Sequence, residues 1–199
     1  MKTKIKNALI SVSDKENLTP LLKALKRFNV TVISSGGTYA SIKKLGYECT
    51  ELSKYTGFKE MLDGRVKTLH PKIHAGILHD RQNKKHKSEM SRQKFPAIDL
   101  IVVNFYPFQK IVMNTNNSKN IIENIDIGGP TMVRAAAKNF NNVTIITNNN
   151  DYEDLINEII KNKGSTTLKF REFMSSKAFG LTAYYDAMIA NWFNKKLKI

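Results

Sequence analysis

Short apolar runs alternate with longer amphipathic stretches along the chain. Uninterrupted apolar or β-branched runs, which predict buried strands, occupy residues 8–12, 30–33, 98–103 and 143–147. Apolar positions recur at helical spacing in residues 18–28, 38–45, 131–140, 152–160 and 167–197. Strands that alternate with helices are typical of a parallel sheet with helices on both faces. The sequence therefore predicts a single α/β domain with a mainly parallel sheet.

The composition fits one globular domain. The 199 residues are 41% hydrophobic, which is enough to bury a sizeable core. The single cysteine, Cys49, excludes an intramolecular disulfide. The basic start precedes an apolar run too short for a signal peptide, and no run approaches the roughly 20 apolar residues of a membrane helix. We therefore expect a soluble, cytoplasmic protein.

The formal net charge of +15 raises the question of a nucleic-acid partner. Lysines carry most of this charge and are spread along the chain, with no aromatic residues interleaved among the few clusters. This pattern favours a solvated surface over a nucleic-acid groove, so no nucleic-acid partner is expected. A basic surface can still steer a small anionic substrate into a cleft.

The segment Ser34-Ser35-Gly36-Gly37-Thr38 follows a predicted strand and opens a predicted helix. Glycine lets the backbone approach an anion closely, and a helix N-terminus presents unpaired N–H groups to it. The pattern is neither a dinucleotide fingerprint nor a Walker loop. A phosphate site and a plain structural turn both remain open at this point, with Thr38 also able to cap the helix.

Polar residues follow two further predicted strands. Ser13, Asp14 and Lys15 come after the first strand, where ligands bind in open α/β sheets, although Ser13 or Asp14 could equally cap the next helix. Asn104 and Tyr106 follow the strand at 98–103 and would share one face. A ligand edge and ordinary core packing both fit this aromatic segment.

Basic residues mark the segment from Gly64 to Pro71. Arg65 and Lys67 are two residues apart and would point to the same side of an extended chain, which Pro71 is expected to keep from forming a helix. A basic surface loop is the alternative. His70 and His74 have the helical spacing of metal ligands, but Pro71 lies between them without a nearby carboxylate, so no metal site is predicted.

The last segment with chemical potential is Asp126-Ile127-Gly128-Gly129-Pro130-Thr131. Gly-Gly-Pro opens a helix, and Asp126 lies before its start, where negative charge is favoured. Lys138 follows seven residues after Thr131, on the same face. An acid and a lysine that bracket one short helix fit general acid–base chemistry, while a capped, dipole-matched helix is the alternative.

The five segments SVSDK, SSGGT, GRVKTLHP, NFYP and DIGGPTMVRAAAKN, in this order, resemble the amino-terminal domain of the bifunctional purine-biosynthesis proteins, which join AICAR transformylase to IMP cyclohydrolase. The resemblance covers essentially the whole chain. It implies a methylglyoxal-synthase-like fold and the ring closure of 5-formamidoimidazole-4-carboxamide ribonucleotide to IMP, without a metal, redox cofactor or folate. By this resemblance the nucleotide site is lined by Ser13, Asp14, Lys15, Ser35, Gly36, Gly37, Thr38, Arg65, Lys67, Thr68, Asn104, Asp126 and Ile127. The reacting group would be Lys67, Tyr106, Asp126 and Lys138.

Two departures qualify the resemblance. The sequence ends where a transformylase domain would begin, so residues 1–199 are expected to form the cyclohydrolase domain alone, with a separate transformylase supplying its substrate. Phe140 replaces a histidine common in the family, which puts a supporting contact in doubt. A homodimer stays open.

Two other functions stay open beside the cyclohydrolase. One is a nucleotide-sensing regulatory module of the same fold, and the other is methylglyoxal synthase. The regulatory module would need the phosphate loops but not Asp126, Tyr106 and Lys138 together, and the extended purine-site motifs argue against the synthase.

Overall fold

The computed structural model describes residues 2–199 and contains seven strands and ten α-helices within that range. The strands are β1 (Lys2–Lys4), β2 (Asn7–Val12), β3 (Thr31–Ser34), β4 (Thr50–Glu51), β5 (Leu100–Asn104), β6 (Thr144–Ile146) and β7 (Ser165–Thr167). The helices are α1 (Leu18–Arg27), α2 (Gly36–Lys44), α3 (Leu52–Thr56), α4 (Pro71–Leu78), α5 (Lys84–Arg92), α6 (Phe108–Asn114), α7 (Ser118–Glu123), α8 (Gly128–Lys138), α9 (Tyr152–Lys161) and α10 (Leu168–Leu197).

Five strands form a parallel sheet in the order β4-β3-β2-β5-β6. The first four residues of β5 are all buried. Because successive side chains of a strand point to opposite faces, both faces of this sheet are covered. Helix α8 packs on β5 and β6, with α4 and α10 against it, and α1 packs against α9. The predicted single α/β domain is confirmed.

A small antiparallel sheet of β1 and β7, which the sequence pattern did not indicate, lies apart from the parallel sheet. Lys2 pairs with Thr167, directly before the 30-residue helix α10. This pairing joins the start of the described chain to the start of its last helix. None of the helices in residues 2–199 is both long enough and apolar enough to cross a membrane.

Pro71 begins helix α4, so the prediction that it prevents a helix here is wrong. Proline suits the first helical position because its missing N–H would have no partner there. The Nδ1 atom of His70 accepts a hydrogen bond of 3.1 Å from the Lys72 N–H and so caps α4. Within residues 2–199, no group of three His, Cys, Asp or Glu side chains is placed to hold a metal ion.

A fully buried arginine, Arg171, joins α10 to the loop after α8. Its guanidinium donates hydrogen bonds to the backbone carbonyls of Phe140 at 2.7 Å, Asn141 at 3.0 Å and Thr166 at 2.6 Å. The hydrogen bond to Phe140 goes to its backbone carbonyl, so it does not depend on which side chain occupies that position. Arg171 therefore ties three backbone carbonyls together, and these hydrogen bonds offset part of the cost of burying its charge.

Replacing Arg171 with alanine is expected to lower the free energy of unfolding by about 3 kcal/mol or more, because three carbonyls lose a charged donor and a large, fully buried side chain is removed. Denaturant unfolding measures this loss. The matched control is Lys169→Ala, an exposed change on the same helix that should cost less than about 0.5 kcal/mol. A loss no larger than that of the control would show that Arg171 does not hold this junction.

Candidate active site at the carboxyl edge of the sheet

The register of β2 with its two neighbours brings three of the predicted segments to one edge. Ile10 pairs with Ser34 of β3, and Val12 pairs with Asn104 of β5. The chain leaves all three strands at their carboxyl ends, the edge where ligands bind in parallel α/β sheets. The segments that begin at Ser13 and Ser35, and the segment after Asn104, therefore lie side by side.

The segment after β3 forms a tight strand-to-helix turn. Ser35 is the N-cap of α2, in an extended conformation, and its side chain makes no capping hydrogen bond. Gly36 has φ of +52°, a conformation that side chains disfavour. A Cβ added at Gly37 would meet no atom within 4 Å. The turn thus combines the unpaired N–H groups of a helix start with open space beside them.

The hydroxyl of Thr38 binds the backbone and does not cap the helix. It accepts a hydrogen bond from the Val12 N–H at 3.0 Å and donates one to the Val12 carbonyl at 2.9 Å. The expected capping role of Thr38 is therefore wrong, because Ser35 lies at the N-cap. Thr38 instead ties α2 to the end of β2.

Asn104 holds the segment after β2 in place. Its Oδ1 accepts hydrogen bonds from the Ser13 N–H at 2.6 Å and the Asp14 N–H at 3.1 Å, while its Nδ2 donates to the Asp14 carbonyl at 3.0 Å. Neither Ser13 nor Asp14 caps α1, whose N-cap is Asn17. The expectation of a plain capping role for these two residues is therefore wrong.

Further hydrogen bonds tie this segment to neighbouring loops. The Ser13 hydroxyl donates to the Phe105 carbonyl at 2.8 Å, and Lys15 Nζ donates to the Ser13 carbonyl at 3.1 Å. Asp14 Oδ2 accepts a hydrogen bond of 2.9 Å from Asn149 Nδ2, which follows β6. Loops from three different strands are thus connected along this edge.

The two cations of the predicted basic segment take different positions. Arg65 lies in a turn, where its N–H donates to the Leu62 carbonyl, and its exposed guanidinium forms an ion pair with Glu123 of α7. Lys67 makes no hydrogen bond or ion pair with any other described residue. Its Nζ lies 3.8 Å from the point where a Cβ on Gly36 would be. The chain is not extended at Arg65, so the prediction that both cations point the same way is not supported.

The start of α8 is packed too closely for side chains at its two glycines. A Cβ on Gly128 would fall well inside the van der Waals radius of Thr68 Oγ1, and one on Gly129 would collide with the carboxylate of Asp126. The Gly129 N–H donates to Asp126 Oδ1 at 2.8 Å. These contacts bring the segment of Lys67 and Thr68 against the segment of Asp126.

Asp126 is the carboxylate of this cluster with a shifted pKa. Burial raises the pKa of Asp126, while the hydrogen bond from Gly129 and the charge of Lys67 lower it in part. The pKa remains above the ordinary value of an aspartate. A carboxylate of this kind can exchange a proton nearer to neutral pH than a solvated one.

The helix places Lys138 away from Asp126. Lys138 is the last residue of α8 and is exposed. At a rise of about 1.5 Å per residue it lies roughly 15 Å along the axis from Gly128. Within this chain, Asp126 and Lys138 therefore lie at opposite ends of α8 and do not meet. The assignment of Lys138 to the reacting group stays a prediction, and this geometry does not support it.

Tyr106 and Ile127 are the large hydrophobic members of the predicted set that are exposed, with 57% and 59% of their surface accessible. Tyr106 lies two residues after Asn104, and Ile127 is next to Asp126. Both side chains are accessible at loops that carry the buried groups, where they could meet a ligand without a change of fold.

Sequence reasoning missed one member of this cluster, Tyr185 of α10. Its hydroxyl accepts a hydrogen bond of 2.8 Å from the Asp126 N–H, and its ring lies 5.0 Å from the ring of Phe105. No motif surrounds Tyr185, which reads as one more apolar position of a long helix. The contact spans 59 positions of sequence, so no local pattern could have indicated it.

The contacts close a ring around the carboxyl edge of the sheet. Tyr185 joins Asp126 to Phe105, whose carbonyl binds Ser13. On the other side, Thr68 contacts Gly128, and the neighbouring Lys67 lies against Gly36. DIGGPT follows the loop after α7 and not a strand, and through these contacts it shares one edge of the sheet with SSGGT.

The packing of Gly128 against Thr68 predicts a coupled stability effect. Gly128→Ala should lower the free energy of unfolding by about 1–3 kcal/mol, because the buried and β-branched Thr68 has little room to move. Adding Thr68→Ala should recover part of that loss. Denaturant unfolding of both single variants and the double variant measures the coupling. Additive losses would show that the two residues are not in contact.

Two family models match the chain. The model of the MGS-like domain matches residues 17–131, and the model of the AICARFT/IMPCHase bienzyme matches residues 136–198. The first match contains the segments that carry Ser35, Lys67, Asn104 and Asp126. The second contains the end of α8 and the whole of α10, including Tyr185.

The chain is also similar to curated proteins and to a solved structure. It is 48% identical over 98% of its length to the bifunctional purine biosynthesis protein PurH of Bradyrhizobium diazoefficiens, and 49% identical over 94% to that of Oceanobacillus iheyensis. It spans 37% of the length of each. The crystal structure of ForH matches with a TM-score of 0.84 and 32% identity, over 95% of this chain and 99% of that one.

Proposed function

Because the chain belongs to the family of MGS-like domains and is similar over nearly all its length to bifunctional purine biosynthesis proteins, we propose that it is an IMP cyclohydrolase. It would convert 5-formamidoimidazole-4-carboxamide ribonucleotide to IMP. The observation that carries this proposal is the position of Lys67, which lies against Gly36 and lowers the pKa of Asp126. Lys67 thus lies near both a turn of the kind that binds phosphate and a carboxylate able to exchange protons.

The 5′-phosphate would bind at the start of α2. The N–H groups at Gly36 and Gly37 are those of a helix N-terminus, where anions are favoured, and the hydroxyl of Ser35 is free to donate. Thr38 would act by holding this turn, since its hydroxyl is already bonded to Val12. Lys15 would add positive charge nearby.

The space beside Gly37 makes a clean test of this phosphate site. Gly37→Val should weaken IMP binding tenfold or more, because the side chain fills the space beside the N–H groups. The fold should remain intact, since a Cβ there meets no atom. Calorimetric titration with IMP measures the affinity, and circular dichroism controls for folding. Unchanged affinity in a folded variant would place the phosphate elsewhere.

Ring closure places defined demands on the site. The carboxamide nitrogen attacks the formyl carbon and loses a proton, and the formyl oxygen gains negative charge. The resulting hydroxyl then leaves as water while the former formamido nitrogen loses its proton. The site therefore needs a proton acceptor, a cation beside the oxygen and a proton donor for the leaving hydroxyl.

The residues of the cluster can meet these demands. Lys67 would stabilise the oxyanion, because its ammonium is not already bonded to a neighbouring side chain. Asp126 would accept the carboxamide proton, since its carboxylate is held by Gly129 and its raised pKa suits proton exchange. Tyr106 would hydrogen-bond the reacting groups from the open side. Both reacting groups belong to one substrate, so holding them in near-attack geometry also contributes.

Lys67→Ala is expected to lower kcat by about 10²–10³-fold, the size of effect seen for one oxyanion donor. IMP affinity should fall much less, because the negative oxygen exists only in the transition state. Lys67→Arg should recover part of the rate, since the charge is kept while its position shifts. Steady-state turnover and IMP titration of these variants measure both quantities.

The same variants have a predicted pH dependence. Asp126 must be ionised to accept a proton, so kcat should rise with pH through its raised pKa. Lys67→Ala removes a charge that lowers this pKa, and the acidic limb should therefore move to higher pH. Asp126→Asn should lower kcat and abolish the limb. Equal losses of IMP affinity and kcat/KM in Lys67→Ala would make Lys67 a binding residue only.

The experiment that tests the proposed function is an absorbance assay of IMP formation from the formylated ribonucleotide. Turnover that Asp126→Asn strongly lowers supports the proposal. Binding of IMP without turnover would point to a nucleotide-sensing module, and neither binding nor turnover would refute a nucleotide site.

The proposed reaction implies a supplier for its substrate. The formyl group must first be transferred to the aminoimidazole carboxamide ribonucleotide, so we propose that a transformylase activity precedes this one, either on the same polypeptide or on another. A homodimer is also a proposal, which sedimentation would test.

A further inference from the structure

We infer that Tyr185, on the last helix, is a positioning residue for Asp126 and that α10 is therefore part of the active site. This inference rests on the proposed function. It concerns a residue that lies outside the five sequence segments from which the site was predicted.

Asp126 is held at two points. Its carboxylate accepts a hydrogen bond of 2.8 Å from the Gly129 N–H, which fixes the side chain relative to α8. Its own N–H donates a bond of 2.8 Å to the hydroxyl of Tyr185, which fixes the backbone relative to α10. Asp126 follows the loop after α7, so the strands of the sheet do not hold it directly. The Tyr185 bond supplies an anchor from a different element.

The anchor itself is rigid. Only 2% of Tyr185 is accessible, and its ring packs against Phe105 at 5.0 Å and Phe108 at 6.2 Å. Trp192, about two helical turns further along α10, packs against Phe108 with their ring centres 6.4 Å apart. These aromatic residues join α10 to the segment after β5, so the position of the Tyr185 hydroxyl is set by the loop that carries Asn104 and Tyr106.

The chemistry of the hydroxyl suits this role. A neutral phenol can accept a hydrogen bond from a backbone N–H without adding charge beside a carboxylate. Burial raises the pKa of Tyr185, so the phenol stays neutral over the working range of an enzyme. Tyr185 would thus orient Asp126 without touching the substrate.

Tyr185 also lies in a part of the chain that the MGS-like match does not reach. That match ends at residue 131, whereas residues 136–198 match the AICARFT/IMPCHase bienzyme. The five segments of the site end at α8. The geometry therefore gives α10 a role in the site beyond its packing against the sheet.

The test is Tyr185→Phe, which removes one oxygen and keeps the aromatic packing. We expect kcat to fall roughly ten- to a hundredfold, since small misplacements of a reacting group have effects of this size, while KM changes less than about threefold. The matched control is Tyr184→Phe, the neighbouring residue, whose side chain is 56% exposed and takes no part in the hydrogen bonds of Asp126. The control should keep both constants.

A double-variant cycle separates positioning from general stability. If Tyr185 acts through Asp126, then Tyr185→Phe should have little further effect on residual turnover in an Asp126→Asn background. A purely structural role would lower turnover by the same factor in both backgrounds. If the wild-type protein turns over and Tyr185→Phe has the same kinetic constants as Tyr184→Phe, this inference is overturned while the proposed function stands. Absence of turnover in the wild-type protein would instead overturn the proposed function.

A measurement on the unaltered protein covers the case in which Tyr185→Phe does not fold. The Asp126 amide should be protected from hydrogen exchange, followed by nuclear magnetic resonance, because its N–H is bonded to a buried hydroxyl. The exposed neighbour Ile127 provides the comparison. An Asp126 amide that exchanges as fast as an unstructured one would contradict the anchor directly.

Discussion

The parallel pairing of β2 with β3 and β5 is the interaction on which the rest of the site depends. It is set by buried apolar side chains such as Leu9 and Ile101, which pair in register across the centre of the sheet. A slip of one residue would turn these side chains to the opposite face. The same register brings the segments that follow Val12, Ser34 and Asn104 to one edge of the sheet. Core packing therefore decides where the polar groups meet.

The second half of the site depends on close backbone packing outside the sheet. Gly128 and Gly129 allow Thr68 and Asp126 to approach the start of α8, where any side chain would collide. Asp126 is consequently buried enough to raise its pKa, and Lys67 lies close enough to lower it in part. These opposing effects keep a carboxylate available beside a cation. Stability and reactivity in this region follow from the same contacts.

The elements that could be predicted from sequence are those with a strong local signal. The four main strands and the helices at α1, α2, α8, α9 and α10 follow from apolar runs, helical spacing and the Gly-Gly turn before α2. The short strands β1 and β7 carry no such signal, and Pro71 was read as a helix breaker although it lies at a first helical position. In the site, the segments were predictable but their partners were not. Arg65 pairs with Glu123, Lys138 lies at the far end of α8, and Tyr185 reaches Asp126 across 59 positions.

A crystal structure of the protein with bound IMP tests the central claim most directly, because the claim concerns a single site assembled from several loops. The account predicts that the phosphate lies within hydrogen-bond distance of the Gly36 and Gly37 N–H groups. It also predicts that the purine nitrogen and carbon joined in the ring closure lie between Lys67 and Asp126. A phosphate bound away from α2, or a purine directed away from Asp126, would contradict the account.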